Sequence, residues 1–312
     1  MTVSEFAAAL REHDDFLILT HTRPDGDTLG SAAALCSALR RAGKNAALYP
    51  NPEITEHYLG YVNSYLGTKT AGGFVVSVDV AGEEMFPVGF DGKADLAVDH
   101  HPKNPGFARL GTLLDGDKAS CGEIVMQVIE ELCGDLTKEE ADLLYVAVST
   151  DCGCFVYGNT KADTHRAAAR LIDCGAEISR LNKELFRSAS FSRLKLEGLI
   201  FASMRSYRDN QLNVAVVTQD MMRSSGATED DCDDLANLVG KVRGNRVAIT
   251  VRELAPGRSK ASVRTDGGVD ASEVCGRFGG GGHKMASGCT LNAEPDALAE
   301  MLLGVVNELW PA

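Results

Sequence analysis

Phe16-Leu17-Ile18-Leu19-Thr20-His21-Thr22-Arg23-Pro24-Asp25-Gly26-Asp27-Thr28 is the stretch from which the fold can be read. Its first five residues form an apolar run of strand length; Pro24 and Gly26 then break the run. Residues 28–42 follow as a small, apolar, Ala-rich helical pattern, and Gly43 supplies its stop. A strand passing through a short polar loop into a helix is the building unit of a parallel sheet. It sets His21, Asp25 and Asp27 beyond the carboxyl end of a strand, where open α/β sheets bind ligands. A purely structural reading of the same residues is a Pro24-Asp25-Gly26 turn with Asp27 as helix cap.

Working outward, strands are predicted at 45–49, 74–78, 95–98 and 107–113, with helices at 122–132, 138–149, 161–174 and 178–186. The pattern weakens around 188–192. We therefore place a first domain over 1–189, a connecting helix over 190–204 and a second domain over 205–312. The second offers strands at 212–218, 246–253 and 260–264, helices near 231–242 and 297–309, and a glycine run at 279–282. The fold class is α/β, a mostly parallel sheet followed by a smaller α+β domain.

A chain of 312 residues, 44% of them hydrophobic, suits two compact domains. No apolar run reaches the ~18 residues of a membrane span, and Glu5, Arg11 and Asp14 interrupt the start where a signal peptide needs an apolar core. A cytoplasmic protein without membrane contact is expected. Nine cysteines, odd in number and irregularly spaced, do not make a disulfide framework. Cys152 and Cys154 lack a second pair at ligand spacing, which argues against a thiolate metal site. The net charge of −13 argues against a protein that coats long nucleic acid. Residues 1–189 carry 17 Lys+Arg against 28 Asp+Glu, whereas residues 190–290 carry 14 against 12. The first part suits cations, the second anions.

The run at 74–78 ends in Asp79, and the run at 95–98 ends in Asp99-His100-His101. A further apolar pattern at 143–148 leads to Asp151. Buried carboxylates and imidazoles need partners, so four such convergences point to a common ligand. Two cations ~3.5–4 Å apart would stabilise both the attacking and the leaving oxygen of a phosphoryl transfer. Asp25, Asp27, Asp79 and Asp151 balance two divalent ions charge for charge. The imidazoles of His21 and His100 favour manganese or another first-row ion over magnesium.

These segments, in this order, resemble the four motifs of the DHH phosphoesterase family, with Asp99-His100-His101 as the eponymous triplet. The resemblance implies that His21, Asp25 and Asp79 hold one metal and Asp27, Asp79, His100 and Asp151 the other, with Asp79 shared and a bridging water as nucleophile. It gives Asp99 and His101 catalytic support, Asp99 orienting an imidazole and His101 meeting the phosphate or leaving group. Cys152 stands where the family usually has Thr or Ser. Consecutive glycines let backbone amides converge on an anion, although such a run also serves as a flexible turn. Gly279–Gly282 with His283 is similar to the Gly-Gly-Gly-His motif of the DHHA1 domain, which implies that Gly280, Gly281, Gly282, His283 and Arg264 bind substrate across a cleft between the two domains.

Within the family, size and order place the chain nearest the nanoRNase/pAp phosphatase group. The implied substrates are pAp and very short oligoribonucleotides, with no long nucleic acid and a homodimer left open. A soluble phosphodiesterase for cyclic-di-AMP or pApA is the alternative, and a nucleotide-binding regulator with slow turnover is a reading of a different class. The glycine-His motif speaks against an inorganic pyrophosphatase.

Overall fold

Strands of Leu, Ile, Val and Phe that are apolar at every position must be covered on both faces, and helices are the available cover. The computed structural model describes residues 1–67, 73–232 and 235–311, and forms two units, Met1–Ser188 and Ala189–Ala312. In the first unit the order is α1 (Val3–Glu12), β1 (Phe16–Leu19), α2 (Gly26–Arg41), β2 (Ala46–Leu48), α3 (Glu56–Val62), β3 (Phe74–Val78), β4 (Leu96–Asp99), β5 (Gly111–Leu114), α4 (Cys121–Cys133), α5 (Lys138–Asp151), α6 (Ala162–Asp173) and α7 (Ile178–Phe186). The sheet runs β2-β1-β3-β4-β5 with every pairing parallel, so all five carboxyl ends share one edge.

Alternation within the strands divides the core. Phe16, Ile18, Val76, Val78, Leu96 and Val98 join α2, α4 and α5 in the main cluster. Leu17, Leu19 and Val75 face a smaller cluster finished by Phe86, Phe90 and Phe107. The helices that cover the main face touch through small residues. A Cβ on Gly30 of α2 would lie 2.4 Å from the Leu143 carbonyl oxygen of α5, and one on Gly26 would lie 2.4 Å from the Thr150 hydroxyl. This close approach brings the start of α2, with Asp25 and Asp27, to the end of α5, with Asp151.

Several elements differ from expectation. Helix α1 was not predicted, although Thr2 and Glu5 form a capping box at its start. Helix α2 begins two residues earlier than predicted, and its N-cap is Asp25 rather than Asp27. The strand expected over 107–113 is shortened to β5, because Phe107 packs edge-on against Phe86 at 5.6 Å instead of extending the ladder.

The second unit contains α8 (Phe191–Ser203), β6 (Arg205–Tyr207), β7 (Leu212–Val217), α9 (Gln219–Ser225), α10 (Leu235–Leu238), β8 (Val247–Ala255), β9 (Arg258–Thr265), α11 (Ala271–Gly276), β10 (Gly281–His283), β11 (Ala286–Leu291) and α12 (Pro295–Leu309). Its mixed sheet runs β10-β11-β9-β8-β7-β6, with β7 and β8 parallel and the other pairs antiparallel. Leu298, Leu302 and Val306 of α12 cover one face, and Leu196 and Ile200 of α8 belong to the core on the other. The helix expected as a connector thus packs into the second unit. Of the helix expected near 231–242, residues 233 and 234 lie outside the described residues; the rest forms short turns around α10. Among the described residues no helix is long and apolar enough to cross a membrane.

In an exposed helix Gly→Ala gains about 1 kcal/mol. At Gly30 the new methyl must push backbone aside, so Gly30→Ala is expected to cost about 1–3 kcal/mol, read as a lower urea midpoint. An unchanged midpoint would show that α2 and α5 can separate without penalty.

Candidate active site

The shared carboxyl edge of the parallel sheet delivers His21 after β1, Asp79 after β3 and the triplet Asp99-His100-His101 at the end of β4. Each imidazole has one nitrogen tied down. The His21 Nδ1 lies 2.7 Å from the Thr22 carbonyl oxygen and the His100 Nδ1 3.3 Å from that of Lys118, which leaves both Nε2 atoms facing the carboxylates. The His21 Nε2 is 3.6 Å from Asp25 Oδ1 and 3.8 Å from Asp79 Oδ2. The His100 Nε2 lies 3.7 Å from Asp27 Oδ2, 3.4 Å from Asp79 Oδ1 and 3.7 Å from Asp151 Oδ2. Among the described residues three groups of potential ligands result: His21, Asp25 and Asp79; Asp27, His100 and Asp151; and Asp79, His100 and His101.

The carboxylates are held before any ion is considered. Asp25 accepts from the Asp27 and Thr28 amides at 3.0 and 3.2 Å, so the helix cap and the candidate ligand are the same residue. Asp27 accepts from Ser31 at 3.1 Å and from the Cys121 and Gly122 amides at 2.7 and 3.0 Å, at the N-terminus of α4. Asp99 accepts from the His100 amide at 2.8 Å and from Asn104 at 2.6 Å, and it holds the His101 Nδ1 at 2.7 Å. Asp79 is different. It sits at φ 60°, a left-handed conformation unusual for a non-glycine residue, and its buried Oδ1 has no hydrogen-bond partner. An orphaned buried carboxylate oxygen beside two imidazoles is what a cation ligand requires, and the residues present fit metal binding.

Burial pushes the carboxyls of Asp27 and Asp79 well above the ordinary range, and their carboxylate neighbours push in the same direction. Asp151 is pushed up to about 7, by burial first and then by Asp25. The hydrogen bond to Asp99 raises His101, whereas burial and the neighbouring His101 lower His100. Burial also opposes charge on His21, but Asp25 and the Thr22 carbonyl outweigh it and the imidazole is raised. His101 is the more exposed imidazole of the triplet, with 40% of its side chain accessible.

Sequence reasoning missed Asn104, the amides of α4 and Asn159, whose side chain donates to the Asp151 and Ala119 carbonyls at 3.1 Å each. Ser120 as the cap of α4 was the available signal for the amides. Cys152, in place of a hydroxyl residue, is buried, accepts from the Phe155 amide at 3.3 Å and donates to the Ser149 carbonyl at 3.7 Å. Both bonds stay within the turn that follows α5.

In the second unit, His283 pairs in register with Ala286, Ala286 with Arg264, and Arg264 with Ala248. His283 and Arg264 thus share one face of the sheet, in a single row across neighbouring strands. The glycine run is ordered. Gly279, at φ 71°, closes α11 in a left-handed turn, and the Gly280 amide donates to the Cys275 carbonyl at 3.0 Å. A Cβ on Gly280 would stand 2.3 Å from the Gly288 carbonyl oxygen, so strand pairing itself demands glycine there.

The model of the DHH family, N-terminal domain, matches residues 15–148, and that of the DHHA1 domain matches residues 203–309. The bifunctional oligoribonuclease and PAP phosphatase NrnA of Thermus thermophilus is 32% identical, over 93% of this chain and 89% of its own length. The protein of the same name in Bacillus subtilis is 25% identical, over 94% of this chain and 95% of its own. An exopolyphosphatase-related protein of Bacteroides fragilis shares the fold, with a TM-score of 0.87 at 20% identity, over 98% of this chain and 95% of that one.

The crowding of the carboxylates fixes the sign of a pH effect. Asp27, Asp79 and Asp151 bind protons more tightly folded than unfolded, so metal-free stability falls as pH rises from about 4 through about 7. The raised His21 and His101 act in the same direction, the lowered His100 opposes them up to about pH 6.5, and the lowered Asp25 and Asp99 act only below about pH 4. In chelator, Tm is expected to drop by about 5 °C or more between pH 5 and 8, and manganese should reverse the drop. A flat or rising Tm in chelator contradicts this account.

Proposed function

We propose a function on one premise: this chain belongs to the DHH family of phosphoesterases, with a DHHA1 domain as its second unit. It hydrolyses small phosphorylated nucleotides, removing the 3′-phosphate of pAp and shortening oligoribonucleotides a few residues long to mononucleotides. The names of the Thermus and Bacillus relatives support that substrate class. The observation that carries the reading is the buried cluster around Asp79, with its unpartnered Oδ1.

In this reading His21, Asp25 and Asp79 hold one divalent ion, and Asp27, Asp79, His100 and Asp151 hold the other, with manganese suited to the mixed donors. Bound ions of this kind supply positive charge at the scissile phosphate and make water acidic enough to attack at neutral pH. Asp79 keeps Oδ1 available because no hydrogen-bond donor among the described residues claims it. Asp99 holds the His101 ring through Nδ1, so the proton that His101 can pass to a departing oxygen sits on Nε2. Arg264 and His283 offer a cation and a second donor to a substrate phosphate.

With manganese, the protein is expected to release phosphate from pAp and mononucleotides from pApA or a three-nucleotide RNA. Failure with all three contradicts the proposal. Asp79→Ala should lower turnover by roughly 10³-fold or more, because both ions lose a ligand. His101→Ala should lower kcat on pAp by about 10²-fold with a smaller change in KM, and an unchanged kcat would remove His101 from the reaction.

A further inference from the structure

His21 and Asp25 are four residues apart, and their side chains must meet if both are to share an ion with Asp79. They do meet, His21 Nε2 standing 3.6 Å from Asp25 Oδ1. The chain between them therefore doubles back within Thr22, Arg23 and Pro24. The tip of this reversal is strained. Arg23 sits at φ 49°, in the left-handed region, without the freedom of glycine. Such a conformation persists where the surroundings enforce it.

The enforcement comes from the segments on either side. Strand β1 lies between β2 and β3 with both pairings parallel, so the chain leaving each neighbour emerges beside the chain leaving β1. After β3, the Met85 carbonyl accepts from the Thr22 amide at 2.7 Å. After β2, two side chains reach the loop. Buried Asn51 donates through Nδ2 to the Thr20 hydroxyl at 3.1 Å and to the His21 carbonyl at 2.9 Å. Its Oδ1 accepts from the Glu53 amide at 3.0 Å, a local turn that seats Glu53.

Glu53 in turn closes the tip of the loop. Its Oε2 accepts from both the Thr22 hydroxyl and the Arg23 amide, the latter at 3.1 Å. The Arg23 guanidinium adds little, since its Nε comes only within 4.0 Å of Oε1 and its side chain is 79% exposed. All of the bonds made by Asn51 and Glu53 here go to backbone or to threonine hydroxyls, and none goes to the side chain of a candidate ligand.

We propose that Glu53, seated by Asn51, is a positioning residue for metal binding: it clamps the turn between His21 and Asp25 so that both present their ligand atoms together before an ion arrives. This deepens the phosphoesterase reading and rests on its assignment of His21, Asp25 and Asp79 to one ion. A loop already bent into its bound shape loses less freedom when the ion enters, so the clamp acts on affinity.

The test titrates manganese into the full chain and follows the free ion by electron paramagnetic resonance, for wild type, Glu53→Ala, Glu53→Gln and Thr22→Val. Glu53→Ala is expected to bind one ion about tenfold more weakly, as residues that orient metal ligands do when removed. Glu53→Gln retains an acceptor oxygen and should bind as wild type does. Thr22→Val removes one of the two bonds and should weaken binding by a smaller factor. Added to Glu53→Ala it should cost nothing further, because the hydroxyl has by then lost its partner. On pAp, Glu53→Ala should need about tenfold more manganese for half its full rate, with KM for pAp unchanged at saturating manganese.

Equal manganese affinity in wild type and Glu53→Ala overturns the clamp. So does a Glu53→Gln as weak as Glu53→Ala, because charge rather than an acceptor would then be acting. Should Glu53→Ala fail to fold, Thr22→Val decides, and unchanged affinity there overturns the clamp. A wild type that binds no manganese overturns it as well. One that binds manganese but releases nothing from pAp or short RNA sinks the phosphoesterase reading, while the same titrations still decide the clamp.

Discussion

Asp27 and Asp79 are buried carboxylates within one cluster, and much of the first unit can be understood as a means of holding them there. Two like charges 4 Å apart repel by about 4 kcal/mol at an effective dielectric of 20, before any desolvation is counted. A fold tolerates this only where something compensates. Part of the compensation is internal: the α4 amides at Cys121 and Gly122 turn the positive end of a helix onto Asp27. The remainder falls on Asp79, whose Oδ1 finds no donor among the described residues. The parallel sheet, the tight α2–α5 contact and the tethered imidazoles all converge on that unmet need.

The first sheet was legible because its central strands are buried and largely apolar, and because its candidate ligands stand where those runs stop. The predicted helix at 178–186 has the observed bounds Ile178–Phe186. Less legible were features fixed by contacts distant in sequence. Asp25 proved to be both cap and candidate ligand, whereas the structural reading of the sequence had given the cap to Asp27 and only a turn to Asp25. The region around Phe107 carries strand-like residues, yet an aromatic cluster with Phe86 claims it. Asn104 and Asn159 read as ordinary loop residues until the chain brings them to Asp99 and to the Asp151 backbone.

In the second unit the short strands β10 and β11 were missed because glycine lowers strand propensity and the run looked like a flexible turn. The glycines are required by the hairpin: at Gly280 and Gly282 a side chain would run into backbone carbonyls of the partner strand. Close strand contact and approach to a ligand make the same demand on sequence, a residue without a side chain, so composition alone cannot separate them. The register row adds a separate fact, that Arg264 and His283 lie on one face of the sheet.

Asp79 adopts a left-handed backbone and buries an oxygen without a partner, and each of these would be relieved by glycine. The residue best suited to stability at this position is therefore the one with no carboxylate. A population evolved in the laboratory for heat resistance alone would drift toward that residue and improve as a folded object while its chemistry disappeared. The persistence of aspartate here records a selection that acts on something other than the stability of the chain.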